Sequence, residues 1–289
     1  MEAKNDKPGS GPIDVGFDLG GTKLFTLVRS PAGDETRSYP SGPDFGKEDL
    51  VRIWRETIDA LPEKPRYAGC AICALIRGQT VVQCNSIPGL NGLSADDLEW
   101  KGTKPVFLND ADAALLAQVA RVPGERNVVL AMVGTNVGMS YMMDGRICTG
   151  CTGMAGELGN VPFPFRGKIL PLGEIAGGRS LVERAGMSGP ELLRAVEVGD
   201  PKVVALLDEA AEALGVALAW LIDLMNPEKL YLGGGVLLYA GFFEKTVAAA
   251  KRHAMEKLFD ACRIERAEHA NDIVAEGAIE QARRAAAGE

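Results

Sequence analysis

The segment Val15-Gly-Phe-Asp-Leu-Gly-Gly-Thr-Lys23 sets one carboxylate, a pair of glycines, a hydroxyl and an ammonium directly behind an apolar run. The pattern predicts a strand that delivers Asp18 into a glycine turn. Gly20 and Gly21 have access to backbone angles closed to other residues, so main-chain N–H groups can close around an anion. Thr22 adds a side-chain donor and Lys23 a positive charge, while Asp18 suits a hydrated magnesium ion beside phosphates. An acid that opens a phosphate-cradling turn is what phosphoryl transfer needs. A tight hairpin with an exposed Asp has the same local sequence, however. The G-x-x-x-x-G-K-[ST] pattern of a Walker A loop is absent from this segment. Residues further along must decide.

Leu108-Asn109-Asp110 puts a second carboxylate at the end of a short strand (106–108), where a helix (111–121) begins. Two readings fit. Asp110 takes the proton from a substrate hydroxyl attacking a γ-phosphate, with Asn109 holding another hydroxyl, or Asp110 is the helix N-cap. Asp112 suits the helix N-terminus by its charge. Gly156-Glu157-Leu-Gly159 sets an acid between glycines, suited to two hydroxyl donors of a polyol or simply to solvent. Gly134-Thr135, after the apolar run Val128–Val133 and ahead of Gly138, is either a second phosphate turn or a plain strand end. Gly233-Gly234-Gly235 lets a helix start close beneath a flat ligand such as adenine.

The elements that would position these groups follow from periodicity. A hairpin over 15–18 and 24–29, a helix over 49–61, a buried strand over 68–75 and a loop over 85–91 precede the Asn109-Asp110 pair. A long helix over 203–225, a strand over 230–232 and helices over 242–257 and 272–287 complete the chain. A strand running into a glycine turn occurs in both halves, at 18–22 and 134–138, which predicts a two-lobed α/β protein with nucleotide between the lobes. The expected division is a tail over 1–12, a small lobe over 13–112 and a large lobe over 113–271, with the helix at 272–289 packing back on the first lobe.

Composition narrows the class. With 31 basic and 39 acidic residues the net charge is 31 − 39 = −8, which argues against a non-specific nucleic-acid binder. No run approaches the roughly 18 apolar residues of a membrane span, and the polar stretch 1–12 lacks a signal-peptide core, so a cytoplasmic protein without membrane partners is expected. The six cysteines include the pairs Cys70/Cys73 and Cys148/Cys151, too far apart for a zinc ribbon and with no histidine nearby. Buried, reduced thiols are expected. The two histidines, His253 and His269, lie in a charged C-terminal region and suit a surface better than a histidine-based mechanism.

Taken together, Asp18-Leu-Gly-Gly-Thr-Lys23, Asn109-Asp110-Ala-Asp-Ala-Ala114, Gly134-Thr135 with Gly138, Asp144-Gly145, Gly153-Met-Ala-Gly-Glu-Leu-Gly159 and Asn226-Pro-Glu with Leu232-Gly-Gly-Gly-Val236 resemble, in order and spacing, the ROK-family sugar kinases over about 13–282. The resemblance implies an actin-like, ribonuclease-H-like ATPase fold, two lobes closing over sugar and MgATP, and a homodimer. By the same resemblance Asp18 is the metal-side acid, holding Mg²⁺ through water, and Gly20, Gly21, Thr22 and Lys23 form the first phosphate loop. Gly134, Thr135 and Gly138 form the second, and Gly233, Gly234 and Gly235 meet the adenosine. Asp110 matches the base, while Asn109, Glu157 and Glu174 match sugar ligands. Asn160 stands where the family has a sugar-binding His.

Other departures are visible. Residues 161–172 carry no Cys, where many members have a zinc motif, so no zinc is expected. Asn136 replaces the usual Gly of the second phosphate loop, Ser140 another small residue, and Ala74-Leu75 a common Pro-Gly. Asn tolerates left-handed backbone, which would let the turn form. The implied reaction is ATP-dependent phosphorylation of a hexose, glucokinase-like, with N-acetylmannosamine, fructose, other hexoses and polyphosphate as open alternatives. The rival is a non-catalytic sugar sensor or decayed kinase. A DNA-binding regulator is disfavoured by the dozen residues ahead of the first strand, and decay by the presence of both Asp18 and Asp110.

Overall fold

A computed structural model of the chain describes residues 11–122, 124–268 and 272–288. They fall into two compact units, one made of the residues up to Val122 together with the C-terminal stretch, the other of the residues between. The first unit begins with β1 (Asp14–Leu19), β2 (Lys23–Ser30), β3 (Gly33–Pro40), α1 (Lys47–Asp59), β4 (Tyr67–Ile72), β5 (Leu75–Arg77), β6 (Thr80–Gln83), β7 (Val106–Asn109) and α2 (Asp110–Arg121). Its sheet has the order β3-β2-β1-β4-β7. β2 runs antiparallel to β1 and β3, whereas β1, β4 and β7 are parallel. The central strands are covered on both faces, which is why β1 reads as a nearly continuous apolar run. On one face α1 contributes Leu50, Ile53, Trp54 and Ile58, and Trp54 meets Phe17 edge-on at 5.1 Å.

The second unit holds β8 (Val128–Val133), β9 (Val137–Met143), β10 (Arg146–Ile147), β11 (Pro162–Phe165), β12 (Lys168–Pro171), α3 (Gly173–Ala176), α4 (Gly178–Ala185), α5 (Gly189–Glu197), α6 (Pro201–Met225), β13 (Lys229–Gly233), α7 (Phe242–His253), α8 (Glu256–Ala261) and β14 (Arg263–Arg266). Its sheet order, β10-β9-β8-β13-β14, repeats the first with the same strand directions. The helix α6 starts on the Asp200 cap, with Pro201 in its first turn, and stops where Asn226 turns left-handed at φ 46° ahead of Pro227. The Glu228 carboxylate then accepts the Asn127 amide at 2.8 Å and the Arg126 amide, pinning the start of β13 to the start of β8.

The C-terminal helix α9 (Ile273–Ala287) lies on the first sheet and along α2. Gly16 and Gly69, paired across β1 and β4, let it rest backbone against backbone. A Cβ at Gly16 would stand 2.1 Å from the Ala275 carbonyl oxygen, one at Gly69 1.9 Å from that of Ala278, and one at Gly277 1.8 Å from that of Ala113. Glu276, in the first turn of α9, pairs with Arg29 at 2.7 Å and with Arg121. This packing keeps α2 with the first unit, so the chain divides after Val122 and not at 112/113.

Other differences from the sequence reading have local causes. The stretch 68–75 breaks after Ile72, and Leu75 opens the separate β5–β6 hairpin. The stretch 242–257 breaks at Ala254, which is extended between α7 and α8. β3 is exposed at every residue but Tyr39 and has no apolar pattern to betray it. Cys70, Cys84 and Cys262 are buried, but Cys73 and Cys148 are half-buried and Cys151 is exposed, so the second cysteine pair is not part of a core. His253 is on the surface beside Glu212, at 2.7 Å. His269 and residues 1–10 of the expected tail lie outside the described residues.

Gly69→Ala is expected to unfold the protein at lower temperature by the equivalent of about 1–3 kcal/mol or more, because α9 must lift off β4 to admit one methyl. An unchanged melting temperature would show that this contact has slack.

Candidate active site

In the first unit the parallel ladder pairs Asp18 with Ala71 and Ala71 with Leu108, and one step on Leu19 with Ile72 and Ile72 with Asn109. Asp18 and Leu108 therefore lie on one face, two strand spacings or about 10 Å apart. Asp110, two residues past Leu108 and first in α2, brings its carboxylate back into the field of Asp18. Burial, and then the charge of Asp110, push the Asp18 carboxyl up to about 6, against a smaller downward pull from Lys23. Burial also raises the Asp110 carboxyl, opposed by the Ala111 backbone N–H at 2.9 Å.

Asn109, not Asp110, is the N-cap of α2. Its Oδ1 accepts the Ala111 N–H at 2.8 Å, and its Nδ2 donates to the Ala74 carbonyl at 3.1 Å. Both side-chain ends are thereby oriented, and the cap reading of Asp110 falls away.

The Gly20–Thr22 turn closes on itself, with the Gly20 N–H donating to the Lys23 carbonyl at 3.0 Å. Neither Gly20 nor Gly21 adopts the left-handed backbone expected of them. Gly21 is packed tightly, since a Cβ there would stand 3.0 Å from the Ser86 Cβ. Ser41 braces the turn from the end of β3: its hydroxyl donates to the Gly20 carbonyl at 2.7 Å and its N–H to that of Thr22 at 3.1 Å. Thr22 and Lys23 are exposed at the tip. Sequence reasoning missed Ser41 and Ser86, which lie far from the turn in the chain and carry no pattern.

In the second unit the turn after β8 repeats this design, the Gly134 N–H donating to the Asn136 carbonyl at 3.0 Å. At Gly134 and Gly138 nothing lies within 4 Å of where a Cβ would be. The N-terminus of α4 docks on the turn, the Gly178 amide donating to the Gly134 carbonyl at 2.8 Å and the Arg179 amide to that of Thr135 at 3.1 Å. Asn136 is not left-handed; its Oδ1 accepts the Val137 N–H at 2.9 Å.

The 156–159 loop lies flat on β9. Gly156, at φ 96°, has its Cβ position 2.0 Å from the Met139 carbonyl, and Gly159 has its own 2.3 Å from that of Val137. Glu157 projects into solvent from this base, and Asn160 Nδ2 donates to its Oε2 at 2.7 Å. Glu174 is exposed on α3, next to Gly173. Of the three terminal glycines, Gly234 is left-handed at φ 102°, its Cβ position 2.4 Å from the Val133 carbonyl, so only glycine lets β13 leave the sheet there; Gly235 faces open space.

The ROK family pattern matches residues 14–285. The chain belongs to the ROK family. It is 28% identical over 259 residues to the bifunctional enzyme NanE/NanK of Brucella melitensis, covering 86% of this chain and 50% of that protein. It thus spans about half the length of that relative. It is 27% identical over 274 residues to the glucokinase of Thermotoga maritima, covering 81% of this chain and 86% of the other. The ROK hexokinase of Thermus thermophilus superimposes with a TM-score of 0.81 at 27% identity, over 96% of this chain and 100% of the other. The repeated sheet order is the actin-like ATPase fold of this family.

The ionised Asp18 carboxylate works against folding. Its folded value of about 6 exceeds the ordinary 3.8, so its cost is absent below about pH 4, grows from there and is complete above about pH 6. Asp18→Asn is therefore expected to be more stable than the wild type at pH 7.5, by about 1–3 kcal/mol, with the advantage vanishing toward pH 4. Thermal denaturation of both proteins across this range checks it; a variant less stable at pH 7.5 would mean that the carboxylate is held by favourable contacts instead.

Proposed function

We propose that this ROK-family protein is an ATP-dependent hexose kinase in which Asp110 is the general base. The observation that carries the reading is the pair of half-buried carboxylates, Asp18 and Asp110, at the ends of β1 and β7, the first pushed up by burial and by the charge of the second. A base must be ionised when the hydroxyl attacks yet hold its proton afterwards, and a carboxyl raised above its ordinary value is closer to that balance. Asn109, whose side chain is fixed through Ala74 and Ala111, is our candidate for a hydroxyl ligand next to the base, through its remaining N–H and lone pair.

Two like-charged acids in one place also suit a divalent cation, whose charge offsets their repulsion, and their hard oxygens match magnesium. Asp18 would hold Mg²⁺ through water; the ion, when bound, neutralises charge on the transferring phosphoryl group. Thr22, Lys23 and the Gly21 backbone are the phosphate loop of the first unit, and Thr135 with the open faces of Gly134 and Gly138 that of the second. Glu157, kept in place by Asn160, and Glu174 accept sugar hydroxyls. Gly233, Gly234 and Gly235 leave a flat surface suited to adenosine. We assign glucose as the default acceptor and place the protein in the cytoplasm as a homodimer.

The test is ADP release from MgATP across glucose, N-acetylmannosamine, fructose and other hexoses. Asp110→Ala is expected to lower kcat by about 10²–10⁴ while hexose binding by calorimetry persists. Near-normal turnover in the variant removes Asp110 from the role of base; binding without turnover in the wild type favours the sensor.

A second prediction concerns the β11–β12 hairpin. Phe163 packs on Trp220 at 5.4 Å, and Phe165 lies under the guanidinium groups of Arg184 and Arg166, at 5.1 and 5.5 Å. Glu209 pairs with both arginines. The hairpin is held by its own packing, and purified protein is expected to contain no stoichiometric zinc; one zinc per chain by elemental analysis would overturn this.

A further inference from the structure

Asn136 joins three segments of the second unit that are far apart in sequence. A Cβ at Gly173 would stand 1.7 Å from the Asn136 Oδ1, and one at Gly159 2.9 Å from the same oxygen. The amide oxygen therefore sits in a notch that exists only because both residues are glycine. One wall of the notch lies between Glu157 and Asn160, and the other immediately precedes Glu174. Asn136 itself is part of the turn that starts at Gly134, and its Oδ1 also accepts the Val137 N–H at 2.9 Å. The rest of the turn is equally committed. Gly177 backs onto it, its Cβ position 3.0 Å from the Thr135 carbonyl and 2.5 Å from that of Gly173. The carbonyls of Gly134 and Thr135 take the first amides of α4.

We infer that Asn136 is a positioning residue that couples the acceptor side of the site to the phosphate side. The inference rests on the hexose kinase reading, which makes 157–160 and 174 acceptor segments and 134–138 a phosphate turn. Hydroxyls that draw Glu157 or Glu174 inward shift Gly159 or Gly173. With no free volume around the Asn136 oxygen, the shift passes to the turn, because close-packed groups transmit displacement that a looser arrangement would absorb. A glycine at 136 would leave the notch empty and the two sides independent. Asn136 touches neither reacting atom; it sets where the turn stands when the acceptor is bound.

The experiment measures coupling directly. Binding of a non-hydrolysable ATP analogue with Mg²⁺ is measured by calorimetry with and without saturating hexose, glucose or N-acetylmannosamine as the turnover assay selects. In the wild type the hexose is expected to tighten analogue binding about fivefold or more, the lower end of ordinary coupling, and in Asn136→Gly less than about twofold. Folding is controlled by Gly173→Ala, which clashes with the Asn136 oxygen when alone. Its loss of thermal stability is expected to be largely relieved when combined with Asn136→Gly, to the level of Asn136→Gly itself, while coupling in the double variant stays below about twofold. Asn136→Gly with wild-type coupling overturns the inference and leaves the kinase reading intact, as does a double variant in which the two losses simply add. A wild type that binds no hexose and turns over none overturns the kinase reading, and this inference with it.

Discussion

Two carboxylates held in each other's field, partly out of water, are the constraint around which the first unit is arranged. Left to themselves Asp18 and Asp110 would separate and hydrate. What prevents this is backbone: three parallel strands in fixed register set the distance between the chain at Asp18 and the chain at Leu108. The Asn109 cap then fixes the first turn of α2, and with it Asp110. Neither acid has a freely flexible tether over which to relax.

That register depends in turn on α9. The helix rests on β1 and β4 through Gly16 and Gly69 and meets α2 through Gly277, so the strand bearing Asp18 and the helix bearing Asp110 share one support. Contacts of this kind hold by exclusion: main-chain atoms already touch, and no side chain remains to adapt. A phosphoryl-transfer site benefits from such stiffness, since its charges must be placed before the reaction and not recruited during it. The stability cost of the acid pair is met by the large apolar cores of the two units.

The second unit repeats the sheet but uses its glycines otherwise. Both turns close with a first-glycine amide bonded back to the chain, yet the first is braced by Ser41 from a neighbouring strand and the second by α4 and by the Asn136 side chain. The duplication supplies a scaffold, and the departures between its copies carry what differs in the chemistry of the two halves.

Much of this was legible beforehand. The apolar run into Asp18-Leu-Gly-Gly, the repetition of that pattern at 134–138 and the acid-bearing strand end at Asn109-Asp110 are local patterns, and local patterns report the backbone that carries them. The long α6 was visible because its apolar period runs nearly unbroken over 203–225. What tertiary structure decided is contact between distant segments. It chose Asn109 over Asp110 as the cap and put Ser41 and Ser86 against the first turn. It also set Gly21 tight against Ser86 without the left-handed backbone expected of the first turn, left Gly134 and Gly138 open, and put the Asn136 oxygen between Gly159 and Gly173. Sequence states which conformations a residue can adopt; only the folded chain states which neighbour stands too close for anything but glycine. Residue type and spacing thus determined the family and the strand-turn scaffold, while the proximity of main-chain atoms, which leaves no mark on composition or period, determined how the site is held.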